Sequence, residues 1–259
     1  RREDRRARGG YRMKRFSSLY GFELRLFMRN IINVFFVLFF PAGMLLLFGG
    51  IYGNDPSPVF GGYGTIDVST PSFICMITGV TGLMSLPMTL CTYRENKVLK
   101  RLKATGLHPA EIIGVHFAVN FFMTLLGIAV LMVLAKAVYD VQMLSPLRFI
   151  VPVILLIIVC IFSIGTLIAS LFNNAKTAIG VANLVYFPMI FLSGATIPIE
   201  IMPETMQKIA KVLPMTHAVV ALKGVWLDKP FDDYSLHLWI LSAIALLCIG
   251  LSVKFFRWE

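Results

Sequence analysis

The sequence predicts an all-α membrane protein, and three observations carry that prediction. Of 259 residues, 57% are hydrophobic and only 15% are charged, with a mean hydropathy of +0.77. The apolar residues come in long blocks, several near the ~20 residues that a helix needs to cross a hydrocarbon core. The cations gather beside those blocks rather than inside them. This composition excludes an ordinary soluble domain.

Six membrane spans are predicted, at about 31–52, 71–92, 112–136, 149–172, 178–197 and 236–256. Ahead of them, Met13–Arg29 reads as an amphipathic interfacial helix. Phe16, Leu19, Tyr20, Glu23, Leu24 and Phe27 follow helical spacing there, with Lys14, Arg15, Arg25 and Arg29 among them. Residues 1–12 are expected to be a disordered basic arm or a cloning remnant, followed by a single membrane domain over 13–259. The opening RREDRRARGGYRMKRF contains no apolar core, so no cleavable signal peptide is visible.

Between the last two spans, residues 197–235 are mixed and broken by Pro198, Pro203, Pro214 and Pro230. Glu204–Leu213 puts Met206, Ile209, Ala210 and Leu213 on one helical face, with Pro203 at a helix start. The flanking pieces are too short for full spans. Short re-entrant helices on the outer side are expected, a geometry tolerated where protein packs around it.

Charge placement sets orientation. With the N-terminus inside, the inner segments hold eighteen Lys and Arg residues against six outside. Both termini are therefore expected on the cytoplasmic side. The net charge of +10 follows the membrane-flanking pattern, which argues against a nucleic-acid partner.

The segment between the second and third spans, 93–111, carries Arg94, Lys97, Lys100, Arg101 and Lys103 against Glu95 and Glu111. Val98, Leu99 and Leu102 share one face of a short helix, with the cations around the rest. An amphipathic helix on the inner face of a membrane protein needs something to dock against.

The chemistry of several other classes is missing. Cys75, Cys91, Cys160 and Cys248 are scattered, as are His108, His116, His217 and His237, so neither a metal site nor a disulfide framework is expected. The span centres carry almost no ionisable groups, which counts against an ion-coupled carrier and an intramembrane protease. No GxxxxGK[ST] loop occurs, so the chain is not expected to bind ATP by that device or to be an enzyme itself.

Span two does carry a hydroxyl stripe. Thr78, Thr81, Ser85, Thr89 and Thr92 recur at intervals of three and four. The stripe reads as a path lining or a helix–helix seam, including one between two copies, or as hydroxyls bonded back to their own helix. Asn183 and Tyr186 give a weaker version in span five. Asn33 and Asn120 read as packing hydrogen bonds. The 21 Phe and 13 Met residues suit adaptable apolar walls and lean toward a lipophilic substrate.

The loop YRENKVLKRLKATGLHPAEI and the segment FLSGATIPIEIMPETMQKIAKVLPMTHAVVALKGVW, set in six spans, resemble the ABC-2 type exporter permeases. That family includes daunorubicin-type drug-efflux permeases and exporters of polysaccharides and teichoic acids. The resemblance covers nearly the whole chain from Met13 onward. It implies that Tyr93, Arg94, Glu95, Lys97, Leu99, Lys100, Arg101, Leu102, Lys103 and Thr105 form the coupling region docking onto a separate ATPase subunit. It also implies that Met13–Phe27 is a connecting helix, and that Pro198, Pro203 and Pro214 mark the breaks of the outer re-entrant helices. The chain departs from the family at Lys223, where many relatives carry Arg, and at Asn96–Lys97–Val98, where many have a Gly-containing turn.

By that resemblance the chain is expected to be the permease subunit of an ATP-driven exporter in a bacterial-type cell membrane. Two copies would pair over two ABC ATPase subunits, which carry the ATP and Mg, and no cofactor is expected in this chain. The expected cargo is a hydrophobic or amphipathic, drug-like molecule. A polysaccharide or lipid-linked polymer, or a sensor or immunity role without transport, are the alternatives.

Overall fold

The computed structural model describes residues 2–56, 62–98, 109–172, 174–194 and 202–255. All regular elements among the described residues are helical. Helix α1 covers Arg2–Arg29. The six helices long and apolar enough to span are α2 (Ile31–Tyr52), α3 (Thr65–Glu95), α4 (Pro109–Tyr139), α5 (Leu147–Leu171), α6 (Ala175–Leu192) and, after the two short helices α7 (Glu204–Ala210) and α8 (Pro214–Trp226), α9 (Phe231–Phe255). The predicted fold class is thus the observed one.

Element limits differ from the sequence reading for local reasons. Helix α1 runs back to Arg2, through the segment expected to be a disordered arm; Arg, Glu and Ala there are good helix formers. Helix α3 begins at Thr65, six residues before the predicted span. Asn54 Oδ1 accepts from the backbone N–H groups of Ile66 and Asp67 at 3.0 and 3.2 Å, satisfying donors that a helix start leaves open. The Asp67 carboxylate accepts from Gly64 N at 3.3 Å. Polar capping at this end disguised the helix start as a loop. Helix α6 ends at Leu192, short of the predicted 197, because Gly194 turns the chain with φ +80°.

Two prolines inside spans bend the backbone without breaking it. Proline lacks an N–H and crowds the carbonyl four residues back. Just before Pro41, Phe35–Phe39 widens into a π turn, and the N–H of Phe40 reaches the carbonyl of Phe35. Val80–Ser85 does the same before Pro87, with Leu86 N–H bonded to Thr81 O. Such turns are the usual accommodation of an interrupted hydrogen-bond ladder.

Helix α3 is the packed axis of the bundle. In its most apolar stretch 83% of residues are buried, against 17–50% for the other spans. Helices α7 and α8 meet at 90°. At 1.5 Å per residue, α8 measures about 20 Å, too short to cross a ~30 Å core alone. Pro203 precedes α7 and Pro214 opens α8, where their missing N–H groups matter least. Pro198 lies outside the described residues.

Helices α3 and α5 cross at glycine. A Cβ on Gly165 would fall on the carbonyl of Gly82, and one on Gly82 would meet the Phe162 ring at 2.7 Å. Backbones come this close in membranes because small residues permit it, and the gain is van der Waals contact. Gly165→Ala is expected to force the two central helices apart. Thermal unfolding in detergent should show a clear loss of stability, whereas Gly180→Ala, with open space at its Cβ, should change it little.

Candidate functional site

The loop singled out by sequence leaves the membrane domain at the C-terminal end of α3. Leu99, Lys100, Arg101, Leu102, Lys103 and Thr105 lie outside the described residues. Tyr93, Arg94, Glu95 and Lys97 are described, and they form the loop's root. Consecutive helical residues point about 100° apart, so Tyr93, Arg94 and Glu95 reach three different neighbours.

The Tyr93 hydroxyl donates to the carboxylate of Glu23 on α1, 2.8 Å from Oε1 and 3.0 Å from Oε2. Arg94 is buried, and its Nη1 donates to the carbonyls of Ala169 at 2.9 Å and Phe172 at 3.1 Å. These are carbonyls at the C-terminal end of α5, where a helix leaves acceptors open and favours a cation. Glu95 Oε2 accepts from Ala175 N at 3.1 Å, at the start of α6. Asn174 completes that cap by accepting from the N–H groups of Lys176 and Thr177 at 2.8 and 3.4 Å. The Cys91 thiol also donates to Phe172 O at 3.3 Å. One tripeptide therefore joins α1, the end of α5 and the start of α6 to the end of α3. Each ion sits at the helix terminus whose dipole suits it.

Glu23 is 5% exposed. Burial pushes its carboxyl above the ordinary range, and the hydrogen bond from Tyr93 opposes that shift. His116 of α4 stands beside it, with Nδ1 3.7 Å from Glu23 Oε2 and its ring edge-on to Tyr93 at 4.8 Å. Below His116, Asn120 Nδ2 donates to His116 O at 2.9 Å and Thr124 Oγ1 donates to Asn120 O at 2.8 Å. Thr124 meets Thr81 of α3, hydroxyl to hydroxyl, at 2.7 Å.

The hydroxyl stripe of α3 lies against its own chain. Thr78 donates to Ile74 O, Thr81 to Ile77 O and Thr89 to Ser85 O, each within 3.1 Å. Ser85 accepts from Asn33 of α2 at 3.4 Å. Thr78, Thr81 and Ser85 are buried by neighbouring helices of the same chain. In α6, Tyr186 is buried against Gly79, where a Cβ would meet its ring at 2.8 Å; Asn183 is half-buried three residues earlier.

Three residues of this constellation escaped the reading of the site: Glu23, His116 and Asn120. A signal was available. Glu23 is the sole acid in Met13–Arg29, and His116, Asn120 and Thr124 recur every four residues, which places them on one helix face.

Beyond the root, Asn96 N and Lys97 N bond to Thr92 O and Arg94 O, and Lys97 takes φ +55°. This is the left-handed position that glycine fills most easily.

These features define a multi-pass helical membrane protein in which the end of α3 is anchored to α1, α5 and α6. Residues 14–227 match the family described as ABC-2 type transporter, and the chain belongs to that family. It is 25% identical over 200 residues to ABC transporter G family member 20 of Dictyostelium discoideum, covering 76% of this chain and 26% of that protein. It is 32% identical over 109 residues to nodulation protein J of Rhizobium leguminosarum bv. viciae, covering 42% of this chain and 40% of that one. Nodulation protein J of Neorhizobium galegae is 28% identical over 134 residues, covering 52% and 50%. The chain thus spans between a quarter and a half of the length of these relatives. Family membership makes it a membrane component of the ABC-2 transporter type.

Removing the anchors should be felt in graded fashion. Arg94→Ala strips two charge-assisted bonds from carbonyls at the end of α5, each bond contributing about 1.5–3 kcal/mol. Glu95→Gln keeps an acceptor for Ala175 N and should cost far less. Thermal unfolding in nanodiscs should rank Arg94→Ala well below Glu95→Gln; equal effects would contradict the capping geometry. At the left-handed turn, Lys97→Val should be less stable than Lys97→Gly by roughly 1–2 kcal/mol.

Proposed function

We propose that this chain is the permease subunit of an ATP-driven exporter, and that the loop following α3 receives the stroke of a separate ATPase. The observation carrying this reading is the root of the loop. Tyr93, Arg94 and Glu95 bind α1, α5 and α6 through short hydrogen bonds, so a push on the loop is delivered to several helices together. A lever needs such a base, plus an apolar grip and charges that fix register. Leu99 and Leu102 would supply the grip; Lys97, Lys100, Arg101, Lys103 and Thr105 would set the register. Arg94, turned inward on α5 carbonyls, would hold the lever rather than touch the ATPase.

In this reading two copies pair, two ATPases sit beneath them, and ATP and Mg belong to those subunits. The membrane is a bacterial-type cell membrane with both termini cytoplasmic, and α1 lies along its inner surface. Thr78, Thr81, Ser85, Thr89, Asn183 and Tyr186 would then border the path or the seam between copies, through the small movements of α3 and α6. The cargo is a hydrophobic or amphipathic molecule, in keeping with the apolar walls.

Reconstitution with the partner ATPase tests this. Charge reversal at Lys100 and Arg101 is expected to abolish ATPase capture and ATP-dependent flux of an amphipathic dye, while leaving membrane insertion intact. Unchanged capture and flux would reject the docking role. Binding of the dye without flux in the wild-type complex would point to a sensor, and flux of a glycan polymer instead would reassign the cargo.

A further inference from the structure

A cavity of about 190 Å³ opens beside the loop root, between α1, α3 and α4. Its polar wall includes Glu23, His116 and Asn120, and its apolar wall includes Leu26, Met88 and Val119. Leu26 and Met88 are 38% and 37% exposed, so the apolar side reaches the surface of the bundle. His116 and Asn120 are each only 2% exposed, yet His116 Nε2 and Asn120 Oδ1 have no hydrogen-bond partner among the described residues. Buried polar atoms are nearly always paired, and an exception calls for an absent partner.

The chemistry of that partner follows from the wall. Asn120 Oδ1 can only accept. His116 turns Nδ1 toward the Glu23 carboxylate, and the tautomer with its proton there leaves Nε2 as a second acceptor. Glu23 supplies a third acceptor and the negative charge, and no Lys or Arg stands among the described residues of the wall. Three acceptors with one negative charge match a group with several N–H donors and one positive charge. Burial of such a charge is tolerable only when it is paired and hydrogen-bonded. A trimethylammonium group has the charge but no donors, a hydroxyl has a donor but no charge, and a phosphate has the wrong sign.

We propose that this cavity binds a primary ammonium group carried on an amphipathic molecule, its chain leaving along Leu26 and Met88. Two sources share this chemistry: an ethanolamine lipid headgroup and a free long-chain amine. Tyr93 also lines the cavity, but the site does not depend on the exporter reading, because binding can be read on the purified chain with no ATPase present.

Native mass spectrometry of the purified full chain, given equal phosphatidylethanolamine and phosphatidylcholine, reads the preference directly. Retention of the ethanolamine lipid is expected to exceed that of the choline lipid by roughly tenfold, since one charge-assisted contact set separates them. Glu23→Gln and, separately, Asn120→Ala should bring that ratio to within about twofold. Competition on the wild-type chain needs no variant to fold: dodecylamine should displace a retained ethanolamine lipid, and dodecyltrimethylammonium should not. Displacement by dodecylamine extends the site to free amines; a preference that depends on Glu23 without such displacement confines it to the lipid. Equal retention of the two lipids, displacement of the lipid by dodecyltrimethylammonium as readily as by dodecylamine, or a preference untouched by both substitutions would overturn the proposal.

Discussion

The hydrogen bonds of Tyr93, Arg94 and Glu95 are the constraint on which the end of the bundle depends. Helix ends expose backbone groups that must find partners, and at the margin of a hydrocarbon core water is not a dependable one. Here C-terminal carbonyls of α5 and the first N–H of α6 meet side chains from one place, the last turn of α3. Ala169, Phe172 and Ala175 are close in sequence, so a cation and an anion one residue apart can serve both ends of a tight helix–helix connection. The same turn holds α1 through Glu23. Without these bonds, Glu23 of α1 and Ala175 N of α6 would lose these partners, and the α5 carbonyls would keep only the weak Cys91 thiol donor among the described residues.

The polar groups deeper in α3 follow the same rule. Hydroxyls bonded back to their own helix leave no unpaired donor in an apolar setting, which is how Thr78, Thr81 and Thr89 are accommodated. Among the described residues these deeper groups also reach other parts of the chain at a few places: Thr81 pairs with Thr124, Ser85 with Asn33, and Ser72 with the carbonyl of Gly194. Close packing supplies the rest, above all where Gly82 and Gly165 let α3 and α5 touch backbone to backbone. Membrane helices gain little from hydrophobic expulsion among themselves, so small residues and occasional hydrogen bonds carry the association.

Much of the fold was legible because long apolar blocks have few alternatives. The spans follow from hydropathy alone, and the two helices meeting at 90° follow from prolines and short apolar pieces. Their limits were not legible wherever a distant side chain decides them: Asn54 lengthens α3 from outside the helix. At the site, sequence marked Arg94 as one of five loop cations and could not show that it turns inward onto α5. Glu23 falls in the helical spacing of the apolar residues of α1, but the sequence does not show that Tyr93 stands opposite it. Asn120 read as an isolated packing residue; its spacing of four from His116 and Thr124 puts the three on one face, but does not show that this face meets Glu23 and Thr81. Periodicity shows which residues share a face and is silent about what that face meets.

The anchors also restrict how the bundle can move. Because α5 and α6 are bonded to the same turn of α3, the three cannot shift relative to one another at that end without breaking charge-assisted hydrogen bonds in a poorly solvated place. On the coupling mechanism proposed for this chain, α3, α5 and α6 would then travel as one body at the loop end. Movement has to be taken up at joints that are not bonded this way. Asn30 is one: it interrupts the helix between α1 and α2, and its side chain caps α2 by accepting from Asn33 N at 3.2 Å. The π turn before Pro41 is another, because its ladder is already interrupted. One joint precedes α2 and the other lies within it, and α2 has the smallest buried share of the six spans, so the helix with the least buried surface to lose is the one built to bend.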